Sequence, residues 1–143
     1  MNIGLKVAYL YHDVDVIEVR VTAENANFRG TVNVYVGTDG LFEAASMLEG
    51  FPKNAHDRRE VTFGAAGKKF AGGLVRLEFY CKDMAGHATF RATMEGDYGS
   101  MDVAESATVH VDFEPAALDQ FLVELRQVEA DHRGSASMMT SAI

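Results

Sequence analysis

Two stretches of this chain carry one pattern at a fixed offset. Residues 31–48 read TVNVYVGTDGLFEAASML, and residues 108–125 read TVHVDFEPAALDQFLVEL. Thr31, Val32, Val34, Leu41 and Leu48 fall on Thr108, Val109, Val111, Leu118 and Leu125. Each stretch opens with apolar residues at every second position, the period of a half-buried strand. Each then changes to apolar residues three and four apart, the period of an amphipathic helix. A chain built this way passes twice through strands and closes each pass with a helix.

The strands ahead of each pass are legible from their alternation. Residues 5–11 read as a first strand, and His12 to Asp15 as a turn. Ile17, Val19, Val21 and Ala23 then alternate with Glu18, Arg20, Thr22 and Glu24. Gly30, Val32, Val34 and Val36 follow beyond the turn residues Asn25-Ala26-Asn27. A one-residue slip would flip every side chain to the wrong face, so matching the apolar sets fixes the register. It pairs Val19 with Val34 and Val21 with Val32, and sets Glu24 opposite Arg29. Thr38 or Asp39 is placed to cap the first helix. Gly50 ends that helix, and Phe51-Pro52 blocks its continuation.

Val61 and Phe63 suggest a short strand. Gly64 to Gly73 is a glycine-rich connection with Phe70 as its large apolar anchor. Next, Val75, Leu77, Phe79 and Cys81 form one face of a strand that turns at Asp83 to Gly86. The returning strand presents Ala88, Phe90, Ala92 and Met94, so Phe79 pairs with Phe90 and Glu78 faces Arg91. Val109, Val111 and Phe113 make the last strand of the pass. Pro115 opens the second helix, whose stripe is Leu118, Phe121, Leu122, Leu125 and Val128.

These elements predict an α+β fold in the order βββ-α-ββββ-α. The expected architecture is a single, mostly antiparallel sheet of six or seven strands with both helices packed on one face. Residues 1–133 are expected to form one α+β domain, and 134–143 a disordered tail. A chain of 143 residues reaches this without disulfides or a structural metal.

Charge limits the partners. The formal net charge is -8, and the only close basic clusters are Arg58-Arg59 and Lys68-Lys69. Nucleic acid is therefore not an expected partner, because its binding rests on clustered cations. A protein partner with a basic surface suits the acidic balance, and the composition permits a homo-oligomer. No apolar run reaches the length of a membrane span. Met1 to Lys6 lacks the pattern of a secretory signal. With a single cysteine as well, the expected location is the cytoplasm.

Candidate chemistry is thin. Gly64-Ala65-Ala66-Gly67-Lys68-Lys69 has two residues between its glycines where a phosphate loop needs four, and no Ser or Thr follows the lysine. His12, Asp13 and Asp15 are metal-ligand types crowded into a turn with no second cluster at ligand spacing. His56, His87, His110 and His132 are scattered. Cys81 shares a face with Leu77 and Phe79, so it is expected to be buried and inert. No nucleophile elbow surrounds any serine. The reading is therefore no catalytic residue, no metal and no cofactor.

One constellation remains. With the helices on the apolar side of a sheet, the open side would carry Tyr35, Arg76, Tyr80, His87, Arg91 and His110, together with Arg20. Tyr and Arg are enriched in binding hot spots. These six residues are the candidate binding surface.

The layout resembles the small bacterial α+β proteins that include presumed immunity partners of polymorphic toxins. The resemblance spans Ile17 to Val128. It rests on the paired strands, the helix ending near Gly50-Phe51-Pro52, the hairpin turning at Asp83 to His87, and Pro115 opening the last helix. It implies a non-enzymatic protein-interaction role, with no functional residue carried over. The alternative from another class is a small-molecule-binding domain with the ligand between sheet and helices.

Overall fold

The computed structural model describes residues 2–65, 67, 72–98 and 103–141. Phe70 and the Lys68-Lys69 cluster lie outside the described residues. The elements follow the order β1 (Ile3–His12), β2 (Val16–Glu24), β3 (Arg29–Gly37), α1 (Gly40–Leu48), β4 (Arg59–Gly64), β5 (Leu74–Cys81), β6 (Ala88–Glu95), β7 (Ser106–Phe113), α2 (Pro115–Asp131) and β8 (Ser135–Met139). The class is α+β, as expected.

The predicted single sheet is corrected to two. One four-stranded antiparallel sheet has the order β3-β2-β1-β8, here sheet A; the other has the order β4-β5-β6-β7, here sheet B. Both meanders carry one apolar face, and two such faces can be buried against each other as well as under helices. Val7, Val19, Val21 and Val34 of sheet A, and Val75, Leu77, Phe90 and Val111 of sheet B, are all buried in one core. β3 touches all four strands of sheet B, and β7 touches β1, β2 and β3. Contact of one strand with every strand opposite requires the two sheets to cross at a wide angle.

The helices pack on each other; α1 also contacts β3 and β4, and α2 contacts β8 and β1. They thus bridge the two sheets rather than sharing one sheet face. The repeated sequence pattern has a common structural meaning here. β3 and β7 are each an edge strand of their sheet, and each leads directly into a helix. Val32, Val34, Leu41 and Leu48, and their counterparts Val109, Val111, Leu118 and Leu125, are all buried.

The predicted hairpin registers hold. Val19 lies across from Val34, Val21 from Val32 and Glu24 from Arg29. Phe79 lies across from Phe90, with ring centroids 5.5 Å apart, and Glu78 from Arg91. The expected tail is corrected: residues 135–139 form β8, paired antiparallel with β1. Ala136 and Met138 turn inward and are fully buried.

Edge strands expose unpaired backbone groups and are usually covered. α1 lies along β4. α2 lies along β8, where Glu124 Oε1 accepts the Ser137 amide at 2.9 Å. At β3 the Gly73 amide donates to Asn33 O at 3.0 Å. Glycine is required there because a Cβ at position 73 would collide with the Glu95 carbonyl and Val32. At β7, among the described residues, Asn25 Nδ2 donates to His110 O at 2.9 Å, and the Ser141 amide to Asp112 O at 2.8 Å.

Candidate interaction surface

The outward face of sheet B carries four of the six candidate residues. Pairing across β4 to β7 sets Glu60, Glu78, Arg91 and His110 in one row. Arg76 stands in the neighbouring row between Thr62 and Thr93. Glu78 joins the two arginines. Its Oε2 accepts from Arg91 Nη2, and its Oε1 lies 3.4 Å from Arg76 Nε. Arg76 also reaches Glu60 at 3.9 Å. The Glu78 side chain is only 16% exposed, against 46% for Arg76 and 43% for Arg91. A shielded carboxylate thus holds two half-exposed guanidinium groups in place. Nearby, the Arg58 guanidinium stacks over the Tyr80 ring at 4.8 Å from its centroid, a cation–π contact.

Tyr35 and His87 stand apart from this group. Tyr35 belongs to sheet A, opposite Glu18 in the register. Glu18's negative charge pushes the phenol above its ordinary value. The backbone at Gly72 comes so close that a Cβ there would lie 2.8 Å from the Tyr35 ring. Tyr35 also lines an open cleft of about 570 Å³ with Arg20, Arg29 and Asn33. His87 closes the β5–β6 turn, where its Nδ1 meets Asp83 Oδ2 at 2.6 Å. Asp83 also accepts the Ala85 and His87 amides, at 3.0 and 3.2 Å. The His87 contact is the main reason its carboxyl sits below the usual carboxylate range. The expected single open face is therefore divided: Arg76, Tyr80, Arg91 and His110 share sheet B, His87 is at its end, and Tyr35 is on the other sheet.

Two arrangements could not be read from sequence spacing. The His12 and His132 rings stack at 3.9 Å with 9° between planes, and Tyr9 Oη is 2.7 Å from His12 Nδ1. His132 is the left-handed C-cap residue of α2, so the stack joins the end of β1 to the end of that helix. The second is the distribution of acid. Asp39, Glu43 and Glu49 around α1, and Glu114, Asp119 and Asp131 around α2, are all exposed. These carboxylates surround the two helices, and of them Glu49 is paired with Arg126 at 3.1 Å.

Cys81 is half-buried rather than buried. Its Sγ is 3.9 Å from Asn54 O. Burial pushes the thiol up, and the charges of Asp57 and Asp83 push it further the same way. That keeps it protonated and a poor nucleophile. Among the described residues no three His, Cys, Asp or Glu side chains are grouped to hold a metal ion. No described helix is long and apolar enough to cross a membrane. In the loop compared with a phosphate loop, Gly64 serves packing: it has φ +81°, and a Cβ there would strike the Gly73 carbonyl. Comparison of the chain with protein-family models, curated proteins and solved structures finds no match.

Proposed function

We propose that this protein is a non-enzymatic protein-interaction module that contacts its partner through the outer face of sheet B. The observation that carries the reading is the Glu78-centred arrangement. Two arginines and an Arg-stacked tyrosine stand on a regular sheet, already fixed in position before any partner arrives. Preorganised side chains lose less freedom on binding than mobile ones. The acidic helical side adds long-range attraction for a basic partner. An immunity-type role, in which the chain sequesters a toxin domain stoichiometrically in the cytoplasm, is the specific form of this proposal.

The small-molecule alternative has less support. Phe51, Phe79, Phe90 and Phe113 are buried and mutually packed, with centroids 5.5 to 6.4 Å apart. These rings fill space that an interior ligand would need.

Affinity capture from the native host tests the proposal. The intact protein is expected to recover one stoichiometric basic partner. Tyr80→Ala combined with Arg91→Ala should lose it, while Arg20→Ala on sheet A should retain it. Retention by the double variant would overturn the assignment of this face.

A further inference from the structure

We infer that the row Tyr11–Glu18–Tyr35 on the outer face of sheet A is a second interaction surface, which receives one lysine or arginine side chain of a basic protein partner. This surface lies apart from the outer face of sheet B and does not depend on contact there.

A local irregularity builds the row. Tyr9 lies across from Val19 and packs against the core. Regular alternation from there would set Leu10 against Glu18 and turn Tyr11 inward against Ile17. The register instead shifts between Tyr9 and Tyr11, and Tyr11 lies across from Glu18. A β-bulge of this kind adds one residue and re-aims the side chains beyond it. Two large apolar residues in succession, Leu10 and Tyr11, are therefore exposed, Tyr11 by 57%. On the other side of Glu18 the register sets Tyr35, which is 37% exposed. Val14, in the turn after β1, is exposed as well.

The spacing suits a cation. Neighbouring strands lie ~4.8 Å apart, so the Tyr11 and Tyr35 backbones stand about 10 Å apart across β2. A cation between the two rings is then about 5 Å from each, inside the ~6 Å reach of a cation–π contact, with the Glu18 carboxylate beneath it. Glu18's charge already acts on Tyr35, as the main reason its phenol is raised. Arg20, the cation of β2, is engaged elsewhere: its Nε donates to Asn33 Oδ1 at 3.0 Å. Further acid adjoins the row. Asp13 and Asp15 are exposed in the turn beyond Tyr11, and exposed Asp39 follows Thr38, whose amide donates to Asp15 O at 3.1 Å. Among the described residues no lysine or arginine forms an ion pair with Glu18, Asp13, Asp15 or Asp39. Such a field attracts a basic protein and repels nucleic acid and anionic lipid. Leu10 and Val14 add apolar contact that excludes water around the charged pair.

The test pans a phage library of random twelve-residue peptides against the full chain. Enriched peptides should carry Lys or Arg, and a synthetic copy should shift the ring resonances of Tyr11 and Tyr35 in the unaltered protein. Tyr11→Leu keeps apolar bulk but loses the aromatic face, and Glu18→Gln keeps size but loses charge. Each should weaken that peptide by about tenfold. Tyr11→Phe should bind as the unaltered chain does, and so should the double variant Tyr80→Ala, Arg91→Ala. Retained affinity in Tyr11→Leu or in Glu18→Gln would overturn the inference. So would the absence of enriched peptides, or enrichment of acidic ones. A peptide lost in the double variant but not in Tyr11→Leu would overturn this site and leave the sheet B proposal standing. Sedimentation of the unaltered chain tests for a second copy. A dimer that Tyr11→Leu breaks would make that copy the occupant and overturn the basic partner. If a variant fails to fold, the Tyr11 and Tyr35 shifts in the unaltered chain still decide.

Discussion

Glu129, near the end of α2, places its buried carboxylate 3.0 Å from the amide nitrogen of Leu41 in the first turn of α1. The first amides of a helix have no partner within it. Asp39, the residue at the cap position, has φ 70° and makes no side-chain cap bond. The function expected of Thr38 or Asp39 is thus performed by a residue 88 positions beyond Leu41. The opposite end of α1 is held likewise, by Arg59 Nη1 donating to the carbonyls of Met47 and Glu49 at 3.2 and 2.6 Å. Negative charge at the first turn and positive charge at the last both suit the helix dipole.

Removing the first contact should be costly because it strands a buried amide. Glu129→Ala is expected to lose ~1–3 kcal/mol of stability in a denaturant titration. Glu129→Gln keeps an acceptor oxygen and should lose less. Equal losses would show that the hydrogen bond contributes little.

The stripe on α2 should dominate its contribution to stability. Phe121 is 1% exposed, while Asp119 faces solvent. Phe121→Ala is expected to cost ~3–5 kcal/mol, and Asp119→Ala less than ~1 kcal/mol. Unfolding midpoints of the two variants, compared with the unaltered chain, check this.

The ion pair that anchors Arg59 should make stability depend on acid. Asp57 accepts from Arg59 through both oxygens, at 3.2 and 2.9 Å. The Arg59 hydrogen bond is the main reason its carboxyl lies below the usual value. A depressed carboxylate stabilises the fold above its unfolded pKa, near ~3.9. That contribution is lost as pH falls through the lower folded value. The unaltered chain should therefore exceed Asp57→Asn in stability at pH 7, and the difference should shrink as pH falls below the unfolded carboxyl value. A difference that persists undiminished at pH 2 would contradict this account.

Cys81 should react slowly. Its raised thiol pKa leaves little thiolate at neutral pH. Labelling of the native protein at pH 7 should proceed well below the rate for an unstructured cysteine peptide, and should accelerate in denaturant. Rapid native labelling would indicate that the thiol is more accessible than its position implies.

Local pattern settled much of this fold before tertiary structure was considered. Alternation placed the first seven strands, helical spacing placed both helices, and apolar matching fixed Val19 against Val34 and Phe79 against Phe90. These features depend on periods of two and 3.6 residues, which are written along the chain. The end of the chain was less legible. Ala136 and Met138 alternate correctly, but small residues between serines have weak strand preference. β8 exists because β1 offered an edge to pair with and α2 covered the other side.

The candidate surface divides along the same line. Alternation correctly turned Arg76, Tyr80, Arg91, His110 and Tyr35 away from the core. It could not assign them to one sheet, since a strand's period states which side is apolar and not what buries that side. Face-to-face packing of the two meanders moved Tyr35 to a different surface. The Glu129 cap, the His12–His132 stack and the bonds from Asn25 and Ser141 to β7 depend on residues brought together from distant parts of the chain. Sequence by itself determined the elements and their inward faces, because those follow from neighbouring residues. Only the tertiary structure decided which faces meet, because burial rewards any good apolar contact and the crossing of two sheets selects one.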